Sequence, residues 1–111
     1  MGFVARNLSR FTQREIDAFF KTAHRVLRHS GLVILAAPAQ RDFGRILVIT
    51  SRKVGSAPVR NKIRRRLKAL FYQNNYYNHK RDYVVIVRKE GTELPFDQLR
   101  DLLARAIAQQ S

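Results

Sequence analysis

Nine consecutive residues, Arg60 to Lys68, carry six positive charges and no negative one. On a helix of 100° per residue, Val59, Ile63, Leu67, Leu70 and Phe71 form an apolar stripe. Arg60, Asn61, Arg64, Arg65 and Lys68 gather beside it on an arc of roughly 140°. Lys62 and Arg66 line the other flank. Like charges at i,i+3 and i,i+4 repel. Such a helix needs an apolar layer under its stripe and a polyanion to offset its charge.

The wider stretch repeats the message. Between Phe43 and Arg81 there is no acid, yet 11 of the 22 Lys and Arg residues lie there. A surface made only for solubility mixes both signs. Against eight acids the formal charge is +14 on 111 residues, which points to RNA, DNA or an anionic surface as partner. Arginine dominates the face, and its planar fork suits phosphate better than a lysine does. Asn61 can donate to a phosphate, a ribose 2′-OH or a base edge. Arg52 and Lys53 extend the patch towards the helix start.

The length suits a single domain, 1–111, and 45% hydrophobic residues suffice for a core without a metal or disulfide staple. With no Cys, thiolate chemistry and cysteine zinc sites are excluded. The longest apolar run, Leu32 to Ala39, is too short to span a membrane. MGFVARNLSRF has charges where a secretory signal needs its apolar segment, and Arg6 breaks the myristoylation pattern. A reducing cytoplasm is the expected setting.

Thr12 and Glu15 form a capping box, with Phe11 and Ile16 placed as its hydrophobic staple. Ile16, Phe19, Phe20 and Ala23 then predict a helix from Gln13 to Ala23 or His24. Strands are expected near Arg25–His29, over Leu32–Ala37 and over Arg45–Ser51, the last two as an antiparallel hairpin through the Pro38–Gly44 connector. The basic helix should run from Val59 to Tyr72 or Gln73. A loop (Asn74–Lys80), a strand (Tyr83–Val87) and an amphipathic helix on Phe96, Leu99, Leu102, Leu103, Ala106 and Ile107 follow. The order α-β-β-β-α-β-α reads as an α+β two-layer sandwich, one central sheet packed by helices.

Catalysis by the polypeptide has little support. His24, His29 and His79 are scattered, with no carboxylate at metal-ligand spacing. No pair of acid and base is evident, nor a two-metal carboxylate set. Tyr72, Tyr76, Tyr77 and Tyr83 read as helix-end and core packing rather than a stacking platform. Phe19 and Phe20, at helical spacing, read on pattern alone as core.

The segment SRKVGSAPVRNKIRRRLKALF resembles the signature region of the bacterial ribonuclease P protein subunit. That signature is a strand ending in Ser and basic residues, a Gly-bearing loop, then an Arg-Asn-Arg run, here Arg60-Asn61-Lys62. The likeness extends to the chain's length, its early Phe-bearing helix, DYVVIVRK and the last helix. It implies a protein that joins a catalytic RNA removing the 5′ leader of precursor tRNA. The RNA would perform hydrolysis with Mg²⁺ held by RNA and substrate, leaving no catalytic residue on the protein. Arg52, Lys53, Arg60, Asn61, Lys62, Arg64, Arg65 and Lys68 would contact the catalytic RNA. The first helix and a sheet face would hold the leader through Phe20, Lys21, Ile16 and Leu35, the last two aliphatic where an aromatic would stack better. Ribonuclease P RNA and precursor tRNA are the implied partners, with no membrane and no small-molecule substrate. A left-handed β-α-β crossover is implied too, against the usual right-handed rule. The competing readings are a structural RNA-binding protein, such as a small ribosomal protein, and a self-sufficient basic nuclease.

Overall fold

A computed structural model describes residues 10–109; residues 1–9, most of the segment read above for signal and acylation patterns, lie outside them. The elements follow the expected order: α1 (Gln13–Thr22), β1 (His24–Arg28), β2 (Leu32–Pro38), β3 (Ile46–Thr50), α2 (Ala57–Gln73), β4 (Arg81–Val87) and α3 (Phe96–Ala108). Short 3₁₀ turns at Arg52–Val54, Tyr76–His79 and Lys89–Glu93 join them. The capping box of α1 is formed. The Glu15 amide donates to Thr12 Oγ1 at 3.1 Å and the Thr12 amide to Glu15 Oε1 at 2.9 Å. Helix α2 begins two residues earlier than expected, because Pro58 fits the first turn, where its missing N–H has no partner to lose.

The strand order is β1-β2-β4-β3, and here one expectation fails. Strands β2 and β3 are not a hairpin. Strand β4 lies between them, antiparallel to β2 and parallel to β3. The connector after β2 passes over the end of β4, where Asp82 accepts from the amides of Arg45 (3.0 Å) and Gln40 (3.3 Å). Backbone bonds from Ala39 to Lys80 O (3.1 Å) and from Gly44 to Tyr77 O (2.8 Å) complete the crossing. Gly44 is required there, since a Cβ would collide with the Arg81 carbonyl oxygen.

The β3-α2-β4 crossover is left-handed. Tyr83 packs on the α2 side, edge-on to Phe71 at 5.9 Å, and its amide donates to Arg45 O at 2.8 Å. When a strand of L-residues runs upward with a side chain toward the viewer, that residue's N–H and C=O point right. Seen from α2, β3 therefore lies to the right of β4, and the chain moves left as it crosses.

Helices α2 and α3 cover one face of the sheet. Ile63, Leu67, Leu70 and Phe71 of α2 and Leu99, Leu102, Leu103, Ala106 and Ile107 of α3 meet Leu32, Ile34, Ala36, Ile46, Val48, Tyr83, Val85 and Val87 in one core. Among the described residues, the other face carries only α1, whose Phe19 seals onto Ala37 and Val84. The sandwich of sheet and two helices is as expected, and α1 adds a partial cover behind it.

Beneath the start of α1 lies a buried ion cluster. Arg45 and Asp82 are both 0% exposed. The Arg45 guanidinium reaches Asp82 Oδ2 (3.4 Å), Glu15 Oε2 (3.3 Å), Gln40 Oε1 (3.0 Å) and the Arg10 carbonyl (2.6 Å), under the Phe11 ring at 4.0 Å. The Thr12 backbone bond, with the Arg45 and Arg41 guanidinia, holds the Glu15 carboxyl down to about 2, against a smaller opposing effect of burial. Burial pushes Asp82 the other way, up from the usual Asp value, although Arg45 pulls it down.

Removing one partner of a buried pair strands the other charge. Asp82→Ala is expected to cost about 3–5 kcal/mol in urea unfolding. Glu15 has a folded pKa below its unfolded value. Its stabilisation is therefore present above about pH 4.5 and is lost as the pH falls toward 2. Glu15→Gln, which leaves Asp82 in place, should lower stability at pH 7 and flatten the acid limb across that window.

Candidate nucleic-acid interface

Two cationic surfaces occupy opposite faces of the sheet. The first is the outer side of α2. Asn61, Arg64, Arg65 and Lys68, with Ala57 and Pro58, line one shallow groove. Arg64 is fixed at both ends of its guanidinium, Nη2 donating to Thr50 Oγ1 at 2.7 Å and Nη1 to Asn61 Oδ1 at 3.1 Å. That bond leaves the Asn61 amide N–H₂ as the donor available at the surface. Arg65 is exposed and Lys68 half-buried, while Arg60 is half-buried one turn before Arg64. Arg52 and Lys53 are exposed on the turn between β3 and α2.

The structure thus gathers seven of the eight residues expected to face catalytic RNA around the outer side and start of α2. Lys62 stands apart. It shares the opposite flank with Arg66, toward α3. No acid lines either flank, so every neighbour raises the field the others feel. The arrangement suits a row of phosphates.

The second surface is the sheet face that α1 leaves uncovered. Leu35, Leu47 and Ile86 are half-buried around Phe19, Ala37 and Val84, and Ile49 is 37% exposed. Phe20 is no core residue: it is 45% exposed, its ring edge-to-face with Phe19 at 5.3 Å. Lys21 is exposed and Ile16 half-buried. So Phe20, Lys21, Ile16 and Leu35 all lie on the α1 side of the sheet, with Phe20 and Lys21 the accessible pair.

Two arginines on this face escaped the sequence reading. Arg25 pairs with Leu35 and Arg28 with Val33, and a bulge falls between Arg25 and Leu27. In a regular strand Arg25 and Leu27 would share a face. The extra residue lets Leu27 enter the core while Arg25 and Arg28 both join the open face. The signal in the sequence was the spacing R-V-L-R, which breaks the plain alternation of a strand.

The histidines do not converge, and among the described residues no three His, Asp or Glu side chains could hold a metal. Tyr83 is fully buried, and Tyr72 stacks on Tyr77 at 5.9 Å beside the end of α2. Among the described residues no helix is long and apolar enough to cross a membrane.

Fold and charge together define a small α+β protein with surfaces suited to polyanions. The family described as Ribonuclease P matches residues 6–110, and the chain belongs to that family. It is 35% identical over 96 residues to the ribonuclease P protein component of Erythrobacter litoralis, covering 81% of this chain and 78% of the relative. The corresponding protein of Paramagnetospirillum magneticum is 43% identical over 82 residues, covering 67% and 62%. Among solved structures, the RNase P protein of Thermotoga maritima superposes with TM-score 0.74 at 26% identity, over 89% of this chain and 94% of that one. That of Staphylococcus aureus gives 0.77 at 21% identity, over 91% and 93%.

Arg64 is tied to the sheet and Arg65 is not. Arg64→Ala should cost about 1 kcal/mol of stability and Arg65→Ala less than about 0.5, both read by urea unfolding.

Proposed function

We propose that this chain is the RNA-binding protein subunit of ribonuclease P. On this reading it holds the catalytic RNA along α2 and the single-stranded 5′ leader of precursor tRNA on the open sheet face. It thereby assists endonucleolytic removal of the leader, in the cytoplasm. The observation that carries the proposal is the pair of cationic surfaces on opposite faces of one sheet. One is an acid-free helix; the other is an aliphatic floor edged by cations and one exposed Phe. A protein that only coats RNA has no need of the second.

The division of labour follows from the side chains. Arg52, Lys53, Arg60, Arg64, Arg65 and Lys68 neutralise phosphates of the catalytic RNA, and Asn61 supplies a neutral donor among them. On the other face, Phe20 stacks a leader base while Lys21, Arg25 and Arg28 pair with leader phosphates. Ile16, Leu35, Leu47 and Ile86 offer apolar contact without base selection. No residue of the chain is assigned a bond-breaking role. Mg²⁺ belongs to RNA and substrate oxygens in this proposal, since the described residues offer no carboxylate or imidazole cluster to hold it. By screening repulsion between two polyanions, a +14 protein reduces the Mg²⁺ the RNA requires.

Three reactions on precursor tRNA test this: protein alone, a bacterial ribonuclease P RNA alone at high Mg²⁺, and both together at low Mg²⁺. Cleavage is expected in the last two only. His24, His29 and His79 changed to Gln should leave it unaltered. RNA retention without restored cleavage would instead indicate a structural RNA-binding protein. Site-specific cutting by the protein alone would indicate a nuclease.

Phe20→Ala, Lys21→Ala and the pair Arg25→Ala/Arg28→Ala should each reduce the preference for leader-bearing over mature tRNA, with little effect on assembly. Arg65→Ala with Lys68→Ala should do the reverse. It should weaken assembly and lower the slope of log K against log salt by about 2.

A further inference from the structure

Among the described residues four large apolar side chains are exposed: Phe20, Ile49, Val59 and Phe96. The first two belong to the open sheet face. The other two lie across the sheet, along the seam between α2 and α3, where neither proposed RNA surface accounts for them.

Phe96, 37% exposed, is the first residue of α3, and the Arg66 guanidinium stands 5.9 Å from its ring centroid. Around the ring, Lys62, Arg65, Arg66, Ala69 and Gln73 of α2 line a shallow, open groove. A narrower cleft bordered by Val59, Lys62, Ile63 and Arg66 continues it along the seam. The groove has three cations and no acid in its lining. Of the acids nearest Phe96 in sequence, Glu93 is exposed on the turn before α3 and is not in the groove lining, while Asp97 and Asp101 face Arg100, at 3.8 and 3.6 Å.

Three like charges around an exposed aromatic ring repel one another, and only Arg66 stands within cation–π reach of the ring. The combination becomes favourable when an anion carrying a flat apolar group enters. A nucleotide has both parts. Its base can stack on the ring beside the guanidinium, the Gln73 amide can meet a base edge, and the cations can meet phosphates.

We propose that the α2–α3 seam is a nucleotide slot, in which one unpaired base of an RNA strand stacks on Phe96 while Lys62 and Arg66 hold its phosphates. The slot rests on the reading that the chain binds RNA. It gives Lys62 and Arg66 a site separate from the outer side of α2.

The chain has no Trp, so a Phe96→Trp protein carries a single indole at the slot. Titration with a single-stranded uridine decamer should quench it. A fully paired RNA duplex of equal length should quench it at least about tenfold less effectively, because its bases are already stacked. Lys62→Ala or Arg66→Ala in the same background should weaken the quenching midpoint roughly 3- to 10-fold. Unchanged circular dichroism shows that the variants remain folded.

Equal quenching by duplex would overturn the slot. So would stronger quenching by a polyglutamate peptide, which would make the seam a protein-docking groove. Midpoints unmoved by Lys62→Ala and Arg66→Ala would do the same. Restored tRNA processing without indole quenching rejects the slot and leaves the ribonuclease P reading standing. Quenching without restored processing rejects that reading alone.

Discussion

The guanidinium of Arg45 holds the fold together at the point where the chain is least local. It sits in the interior of a protein that already carries +14, where an uncompensated cation would be costly. Two of the chain's eight acids, Asp82 and Glu15, are committed to it. Asp82 fixes it to β4, Glu15 to α1, and its own backbone enters β3. The connector between β2 and β3 is bound through the amides that Asp82 also accepts. One side chain thus joins three elements and sets how far α1 extends over the sheet. The exposure of Phe20, and the width of the face beside it, depend on that placement.

Charge in this molecule is separated by role. Glu15 and Asp82 neutralise a cation inside, at Arg45, and Asp97 pairs with Arg100 along α3. Acids are absent from α2, where repulsion among Arg and Lys is left unrelieved. The helix survives because its stripe is deeply buried, with Ile63, Leu67, Leu70 and Phe71 all in the core. Packing supplies what the outward face lacks, and the surface retains a field that extends into solvent. Arg64 shows the compromise, since half of its guanidinium is spent on Thr50 to keep the helix seated on β3.

The local elements were legible because their signals are local. The capping box of Thr12 and Glu15 and the periodicity of α3 each require only a few neighbouring residues. The pairing of strands was not. A hairpin between Leu32–Ala37 and Arg45–Ser51 is the economical reading of two adjacent strands. What displaces it is Asp82, 37 residues beyond Arg45 and invisible to any window. The face of Arg25 was hidden for a similar reason, because a bulge reassigns sides without changing composition. Phe96 read as an ordinary member of its helix stripe; only the packed structure shows that the stripe begins one residue too early to be covered.

Strand β4 lies at the centre of the sheet yet comes last among the strands in the chain. Until residues 81–87 are present, β3 has no neighbour to bond with, and the β1–β2 pair has one edge unsatisfied. A nascent chain leaving the ribosome therefore cannot close its core in steps from the N-terminus. It carries an unseated cationic helix and an open sheet edge until Val87 has emerged. Contacts of such long sequence separation make closure late and cooperative. During that interval the RNA-rich surroundings of the emerging chain offer α2 the counter-charge that its own sequence withholds.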